Sequence, residues 1–349
     1  MGSVKNLQTI KKAVGNKSGV GRFVFSDRYS VFDWGEMPDH IVNKGAALCL
    51  MGAYCMEKIE KRGVKTHYRG LIKKDGQVVS TNEIKEPVSV MEINLVKVVR
   101  PKFKNGQYNY SAYTSQLTNF LLPLEVIYRN GLPEGSSVFK RLEKGDLTLE
   151  DLKLDHQPQP GEKFQKPFFD VSTKLEERDR YLSWQEAQKI SGLNDKEIKA
   201  VKKVLLIANK VISQVAKKAE LVNEDGKIEL ACGPKRELML VDVLGTLDEC
   251  RFTYHGEHVS KEIARQFYRK TDWYQDVEEA KRKATEQGHE NWKELCQSQP
   301  PKLDPNLKKI ISQVYAATAN AFLEKDIFDV PKLAEVMKEY TIWLDKFSE

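Results

Sequence analysis

The chain has 349 residues, 40% of them hydrophobic, which is enough apolar material for a sizeable core divided between two lobes. It has no apolar run of membrane-spanning length, and MGSVKNLQTIKKAVG lacks the apolar segment and cleavage site of a secretory signal, so a soluble cytoplasmic protein is expected. The net charge of +6 arises from 56 basic and 50 acidic residues, interleaved as in EEAKRKATEQ, which disfavours nucleic acid as a partner and fits small anionic substrates better.

The predicted elements begin with a β-rich first third. VGRFVFSDRYSVFDW alternates around Phe23 and Phe25, and VSVMEINLVKVVRP gives a second run that ends at a proline. Between them, Ala46, Leu50, Ala53, Met56 and Ile59 fall at helical spacing, and Gly63 stops the helix. KFKNGQYNYSAY, with its Asn-Gly pair, predicts an exposed hairpin. LLPLEVIYR then reads as a strand whose first residue is Pro123 and whose alternation sends Glu125, Ile127 and Arg129 to one face. DLTLEDLKLDHQPQPGEKFQKPFFD, with three prolines and a glycine, is expected to be a connecting loop.

Helices follow. Ser183 with Glu186 and Asn194 with Glu197 have capping-box spacing. The second box opens a helix whose Ile198, Val201, Leu205, Ala208, Ile212 and Val215 form one apolar stripe. KIEL and ELMLVDV read as two strands joined by ACGPKR. From Val259 the chain is expected to be helical, with Pro300, Pro301 and Pro305 breaking it. The final amphipathic helix, KLAEVMKEYTIWLDKF, can pack on the body or on a second subunit of a homodimer. The five cysteines are scattered, with no C-x-x-C pair, so neither a disulfide framework nor a zinc site is expected. His255 and His258, in TYHGEHVS, read as a solvated loop.

Two stretches carry chemistry. In LPLEVIYRNGLPEGSS, Arg129 arrives at the end of a strand, where its fork can grip a phosphate while the Gly135-Ser136 backbone and hydroxyl add donors. A surface arginine beside a turn is the plainer alternative. In NEDGKIELACGPKRELMLVDVLGTLDECRF, Lys227 and Glu229 share a face, and Asp242 interrupts an apolar run as an acid set mid-strand. A buried acid calls for a partner or a cation, and two carboxylates with a lysine suit Mg²⁺ on a polyphosphate. A hairpin turn at Asp225-Gly226 with an outward-facing strand is the plainer alternative here; Asp248 and Arg251 follow at the exit.

Taken in order, FSDRYSVFDWG, LLPLEVIYR followed by GS, the D-x-K-x-E of DGKIEL, and VDVLGTLDECR resemble the SAICAR synthetase (phosphoribosylaminoimidazole-succinocarboxamide synthase) family. NKG, LVK, STKLEERD and RQFYR are weaker matches, and the set spans about Gly2 to Arg269. The resemblance implies an α+β, two-lobed, ATP-grasp-like fold with antiparallel sheets, packed helices and a helical C-terminal region. The lobes would be a β-rich nucleotide-binding part at 1–122 and a substrate-binding part with the terminal helices at 123–349. The implied reaction joins L-aspartate to carboxyaminoimidazole ribotide (CAIR) with ATP, through a phosphorylated carboxylate, in purine biosynthesis. By position, Arg129, Ser136 and Arg251 would bind the ribotide phosphate, Lys227 the ATP phosphates, and Glu229 and Asp242 Mg²⁺. Lys97 would lie near the adenine, Lys5 would be retained from the phosphate-covering loop, Ser26, Asp27, Arg28, Ser30 and Asp179 would line the substrate side, and Asp248 would lie near the imidazole.

The chain departs from the family pattern in several places. Ser3 stands where a lysine is expected, Val243 replaces the carboxylate after Asp242, the glycine after D-x-K-x-E is displaced to Gly233 or replaced by Ala231, and the arginine-to-GS interval is one residue longer. The rival readings are a ligase with a different amine or carboxylate substrate, an inactive nucleotide-binding homologue, and a small-molecule kinase.

Overall fold

The computed structural model describes residues 4–104, 106–177, 179–289 and 291–348, with the side chain of residue 348 excepted. The expected β-rich first third is a five-stranded antiparallel sheet of β1 (Lys5–Lys11), β2 (Gly19–Phe25), β3 (Tyr68–Ile72), β4 (Val78–Val79) and β5 (Val90–Leu95), in the order β1-β2-β5-β3-β4. Helix α1 (Lys44–Glu60) packs on it. Instead of a single apolar stripe, α1 buries every residue from Ala47 to Met56, because the sheet covers one side and later helices the other. Gly52 permits this close packing: a Cβ there would lie 2.3 Å from Cγ1 of Val243.

Strands β6 (Lys102–Lys104) and β7 (Gln107–Asn109) form the expected hairpin, whose Asn105 lies outside the described residues. Strand β8 (Phe120–Leu132) starts three residues earlier than expected. Pro123 therefore sits inside it, at the interruption between Glu229 and Ala231 in the ladder with the later strand β10 (Val222–Cys232), where a missing N–H is tolerated. After β8 come α2 (Ser137–Lys144) and α3 (Leu149–Leu152).

The proline-rich segment is not all loop. Its C-terminal half is the long strand β9 (Glu162–Thr173), which pairs with β8 and forms the free edge of the second sheet. Pro167 falls where that pairing changes register, so edge position and a local irregularity together accommodate it.

Helices α4 (Trp184–Ser191) and α5 (Asp195–Lys218) begin at the expected caps, Ser183 and Asn194, and the capping box at Asn194 and Glu197 is complete. The entire stripe from Ile198 to Val215 is buried. The remaining strands are β10 (Val222–Cys232), β11 (Leu238–Val241), β12 (Cys250–Tyr254) and β13 (Glu257–His258). Asp225 and Gly226 are thus strand residues inside β10, not a turn. His258 is buried in β13, whereas His255 is exposed at a turn, so the solvated-loop reading holds for only one of the pair.

One topological detail places the site. Strands β11 and β12 both pair with the same edge of β10: β12 covers Val222–Gly226 and β11 covers Glu229–Cys232. The connection at 242–249 therefore leaves the sheet at the gap between them, beside Lys227, whose N–H donates to the Glu249 carbonyl at 3.2 Å.

The C-terminal region is helical: α6 (Glu262–Arg269), α7 (Asp272–Gln287), α8 (Pro305–Leu323) and α9 (Leu333–Ser348). Pro305 does not break a helix; it occupies the first turn of α8, where its missing N–H costs nothing. α9 packs on α8 through the buried Val336, Met337 and Tyr340. Among the described residues no helix is long and apolar enough to cross a membrane.

Candidate active site

Asp225, Lys227 and Glu229 share one face of β10, as alternate strand residues must. Cross-strand register then decides their neighbours. Asp225 lies opposite Arg129 of β8 on one side and Arg251 of β12 on the other, so one carboxylate stands between two guanidinium groups. Arg251 donates through Nε to Asp225 Oδ1 at 2.9 Å and through a second nitrogen to Oδ2, a bidentate pair. Arg129 reaches Asp225 at 3.4 Å, Asp170 at 3.2 Å and the Tyr181 hydroxyl at 3.2 Å.

Arg129 is therefore not a surface arginine: it is 2% exposed. Its Nη2 also donates to Ser137 at 3.2 Å, on the first turn of α2. Ser136 caps that helix, its hydroxyl accepting from Val138 N–H at 3.4 Å. Gly135, just before it, has φ +74°, a conformation that favours glycine. Helix start, glycine and arginine thus meet at one end of the row.

The other end is acidic. Glu229 lies directly opposite Glu125 of β8, an unfavourable pairing of like charges that two lysines offset. Lys227 donates to Glu125 at 2.7 Å, while Lys174 meets Glu229 and stands 3.6 Å from Glu125. Asp242 does not lie mid-strand; it follows the last residue of β11, and its φ of +60° turns the chain out of the sheet next to Val241, the partner of Glu229. Its carboxylate takes Lys5 at 2.7 Å, and its carbonyl accepts from His67 Nε2 at 2.9 Å.

These contacts shift the acids in opposite directions. Burial, and then the adjacent Asp242 carboxylate, push Glu229 well above the ordinary glutamate range. Burial alone would also raise Asp242, but Lys5 holds it below the ordinary aspartate value. Burial would lower the Lys227 ammonium, yet Glu249 and Glu125 outweigh it and raise its pKa. Burial pushes His67 down to about 4, so a neutral ring supports the Asp242 backbone.

Asp248 is held firmly: Lys44, itself fully buried, donates to one oxygen at 2.6 Å and the Tyr315 hydroxyl to the other at 2.6 Å. Burial would raise its pKa, but the Lys44 charge keeps it low. Among the N-terminal candidates, Ser26 donates to the Val4 carbonyl at 3.0 Å and accepts from Arg28 Nε at 2.9 Å. Asp27 accepts from Gly45 N–H at 3.0 Å at the start of α1, and Ser30 accepts from Gly35 N–H at 3.3 Å. All three brace the loop between β2 and α1.

Lys97 joins the two sheets through its backbone, donating to the Asn119 carbonyl at 3.0 Å and accepting from Leu121 N–H at 2.9 Å. A small apolar cluster separate from the main core, Ala231, Met239 and Val241 with Val96 and Leu121, adjoins this crossing. Asp179 lines a cleft of about 1330 Å³ together with Arg141, Asp170, Tyr181 and Trp184. This cleft adjoins the arginine end of the row, and its walls include neither Glu229 nor Asp242. Ser3, the departure in the N-terminal loop, lies outside the described residues, as does Arg178 beside Asp179.

The reading of the sequence did not single out Glu125, Lys174, Lys44, Tyr315 or His67. Lys174 and Lys44 stand in the weaker motifs STKLEERD and NKG, which could have flagged them. His67 and Tyr315 had no local signal. The Val243 departure acquires a packing role, since its side chain fills the space over Gly52 of α1.

A family model described as SAICAR synthetase matches residues 11–287. A protein of Archaeoglobus fulgidus, provisionally named as a phosphoribosylaminoimidazole-succinocarboxamide synthase, is 46% identical over 97% of this chain and 98% of its own length. A phosphoribosylaminoimidazole-succinocarboxamide synthase of Thermoplasma acidophilum is 34% identical over 74% of this chain and 81% of its own. The fold is similar to that of the SAICAR synthase of Saccharomyces cerevisiae complexed with SAICAR, with a TM-score of 0.62 and 19% identity over 93% of this chain and 94% of that one. It is also similar to a type-2 SAICAR synthetase in complex with ADP, with a TM-score of 0.56 and 18% identity over 87% of this chain and 99% of that one.

Proposed function

The chain belongs to the SAICAR synthetase family, and from that premise we propose that the β10 row holds the ribotide and the nucleotide of an ATP-dependent ligase of purine biosynthesis. The observation that carries this reading is the single strand whose one end gathers arginines and whose other end gathers buried carboxylates. CAIR would place its phosphate at Arg129, Arg251 and the start of α2, where Ser136 fixes the helix end and the first amides face an anion. Asp179 and the loop carrying Ser26, Asp27, Arg28 and Ser30 would flank the rest of the ribotide, with Asp248 held towards the imidazole by Lys44 and Tyr315.

ATP would lie at the opposite end, its adenine on the apolar cluster beside Lys97 and its phosphates between Lys5 and Lys227. The chain would then divide into a nucleotide lobe at 1–122 and a substrate lobe at 123–349. Glu229 and Asp242 fit Mg²⁺: a buried carboxylate whose ionisation a second, half-buried carboxylate opposes is what a divalent cation relieves. Among the described residues no group of three or more His, Cys, Asp or Glu side chains is arranged to hold a metal unaided, which suits an ion completed by phosphate oxygens. When bound, Mg²⁺ would draw charge from the phosphates during transfer.

The chemistry then follows from positioning and charge. The CAIR carboxylate oxygen attacks the γ-phosphorus, the bond to the β-phosphate oxygen breaks, and ADP departs. The neutral amine of L-aspartate adds to the acyl phosphate carbon; the C–N bond forms, the C–O bond to phosphate breaks, and the amine proton passes to solvent. Lys227 faces the charge that builds up on the transferred group, and the arginines fix the ribotide so that its carboxylate meets the γ-phosphate. ADP release measured with each substrate omitted in turn tests the reading: release should require both L-aspartate and CAIR. Release with another amine in place of aspartate would move the chain to the divergent-ligase alternative, and ATP binding without release under any combination would make it an inactive homologue.

A further inference from the structure

The cations that face the β10 row are almost all matched to an acid. Lys5 has Asp242 at 2.7 Å, Lys44 has Asp248 at 2.6 Å, Lys227 has Glu125 at 2.7 Å, and Lys174 and Arg251 have Glu229 and Asp225. Lys261 is different. Half-buried at the start of α6, it is anchored by its N–H to the Leu247 carbonyl at 3.3 Å, one residue before Asp248. Among the described residues no side chain hydrogen-bonds its ammonium, and the charges around it are Arg265, Asp248, Glu249 and Lys227.

Both nearby acids are already engaged: Asp248 by Lys44 and Tyr315, Glu249 by Lys227 at 3.6 Å. One turn along α6, Arg265 gives Nη1 to Glu262 at 3.1 Å, but its Nε is buried with no acceptor. Arg269 continues the row towards the ribotide end, with a guanidinium nitrogen 3.3 Å from where a Cβ on Gly135 would stand. Burial and then the Arg265 charge pull the Lys261 ammonium below its ordinary value, the condition of a cation awaiting an anion.

The ribotide phosphate and the ATP phosphates already have Arg129, Arg251, Lys5 and Lys227. The remaining anionic groups in the reaction are the CAIR carboxylate, which loses its charge on becoming the acyl phosphate, and the two carboxylates of the amino donor, which must sit beside that acyl phosphate. We propose that Lys261, with Arg265 beside it, binds a carboxylate of the L-aspartate donor and so selects a dicarboxylic amine; this rests on the ligase reading above. An amine lacking that carboxylate would leave the cation unmatched in a confined site, which is how a pocket rejects a near-analogue.

The test compares the KM of each substrate in Lys261→Met and the wild type, by ADP release from the whole chain. Loss of one charged hydrogen bond should raise the aspartate KM roughly 10- to 100-fold while the ATP and CAIR values stay within about twofold. Lys261→Arg should restore most of the affinity, and Lys261→Met should lose its preference for L-aspartate over L-alanine. An unchanged aspartate KM, or a parallel rise in all three, overturns the assignment. Should Lys261→Met fail to fold, Lys261→Gln, which keeps a polar end, gives the same readout. The wild type separates the two ideas: if its ADP release requires aspartate but the variant's aspartate KM is unmoved, the ligase reading stands and only the role of Lys261 falls. If the wild type ignores aspartate, both fall.

Discussion

The two ends of β10 hold their charges in contrasting ways. At Asp225 the partners are arginines whose planar forks fix geometry, one of them bidentate and the other almost wholly excluded from solvent. At Glu229 and Asp242 the partners are lysines, point charges on flexible stems that a divalent ion or a phosphate can displace. The arginine end is built as a fixed frame that doubles as an anion site. The lysine end is a set of exchangeable countercharges, suited to a site that fills and empties in each turnover.

If that contrast is right, substitutions at the two ends should fail differently. The largest effect is expected for Arg129→Met, which leaves the buried Asp170 and Asp225 with one arginine each, Arg141 and Arg251: loss of the charged hydrogen bonds should lower stability by about 3 kcal/mol. Urea unfolding should show a lower midpoint at an unchanged slope, and a fully stable variant would break the contrast at its arginine end. Next, Glu229→Gln should leave unfolding close to wild type yet cut turnover at least about a hundredfold, the scale on which metal ligation is lost. Near-normal ADP release from that variant would remove the metal assignment.

A smaller effect is expected from pH. Glu229 is an acid whose folded pKa lies above its unfolded value, so the folded state binds the proton more tightly. Stability should therefore fall as pH rises from the ordinary glutamate range through the raised value, by at most about 1.4 kcal/mol per pH unit. The difference in thermal unfolding between the wild type and Glu229→Gln, both in chelator, should follow that slope, since the opposite contribution of neutral His67 is common to both, and Mg²⁺ with ADP should flatten it.

The smallest effect comes from a matched pair of helix caps. Ser136→Ala and Asn194→Ala should each cost about 1 kcal/mol of stability, but only Ser136→Ala should raise the CAIR KM. Equal kinetics in the two would detach the start of α2 from the ribotide.

Much of the fold was legible because its signals are local. The boxes at Ser183 and Asn194 and the stripe from Ile198 to Val215 depend on spacings of three or four residues, and the structure places caps and a buried face there. The failures were also local readings, each overridden by packing. Pro123 and Pro167 lie inside strands because each coincides with a break in the β8 ladder. Asp242 was expected mid-strand because LMLVDV looks continuous, yet a positive φ turns the chain at that residue. At the site, the residue types were readable but their partners were not: Lys174 meets Glu229 across 55 residues and Lys44 meets Asp248 across 204.

By itself the sequence determined the strand-rich first third, the helices that begin at Ser183 and Asn194, the shared face of Lys227 and Glu229, and the ordered motifs that point to one family. Helix periodicity, strand alternation and capping act over a few residues, so the chain states them directly. Only the tertiary structure decided that two strands share one edge of β10, that Arg129 and Arg251 flank Asp225, and that the acids near Lys261 are engaged by other side chains. Those outcomes depend on which distant segments the packed sheets and helices bring together, and electrostatic pairing acts through space with no regard to separation along the chain.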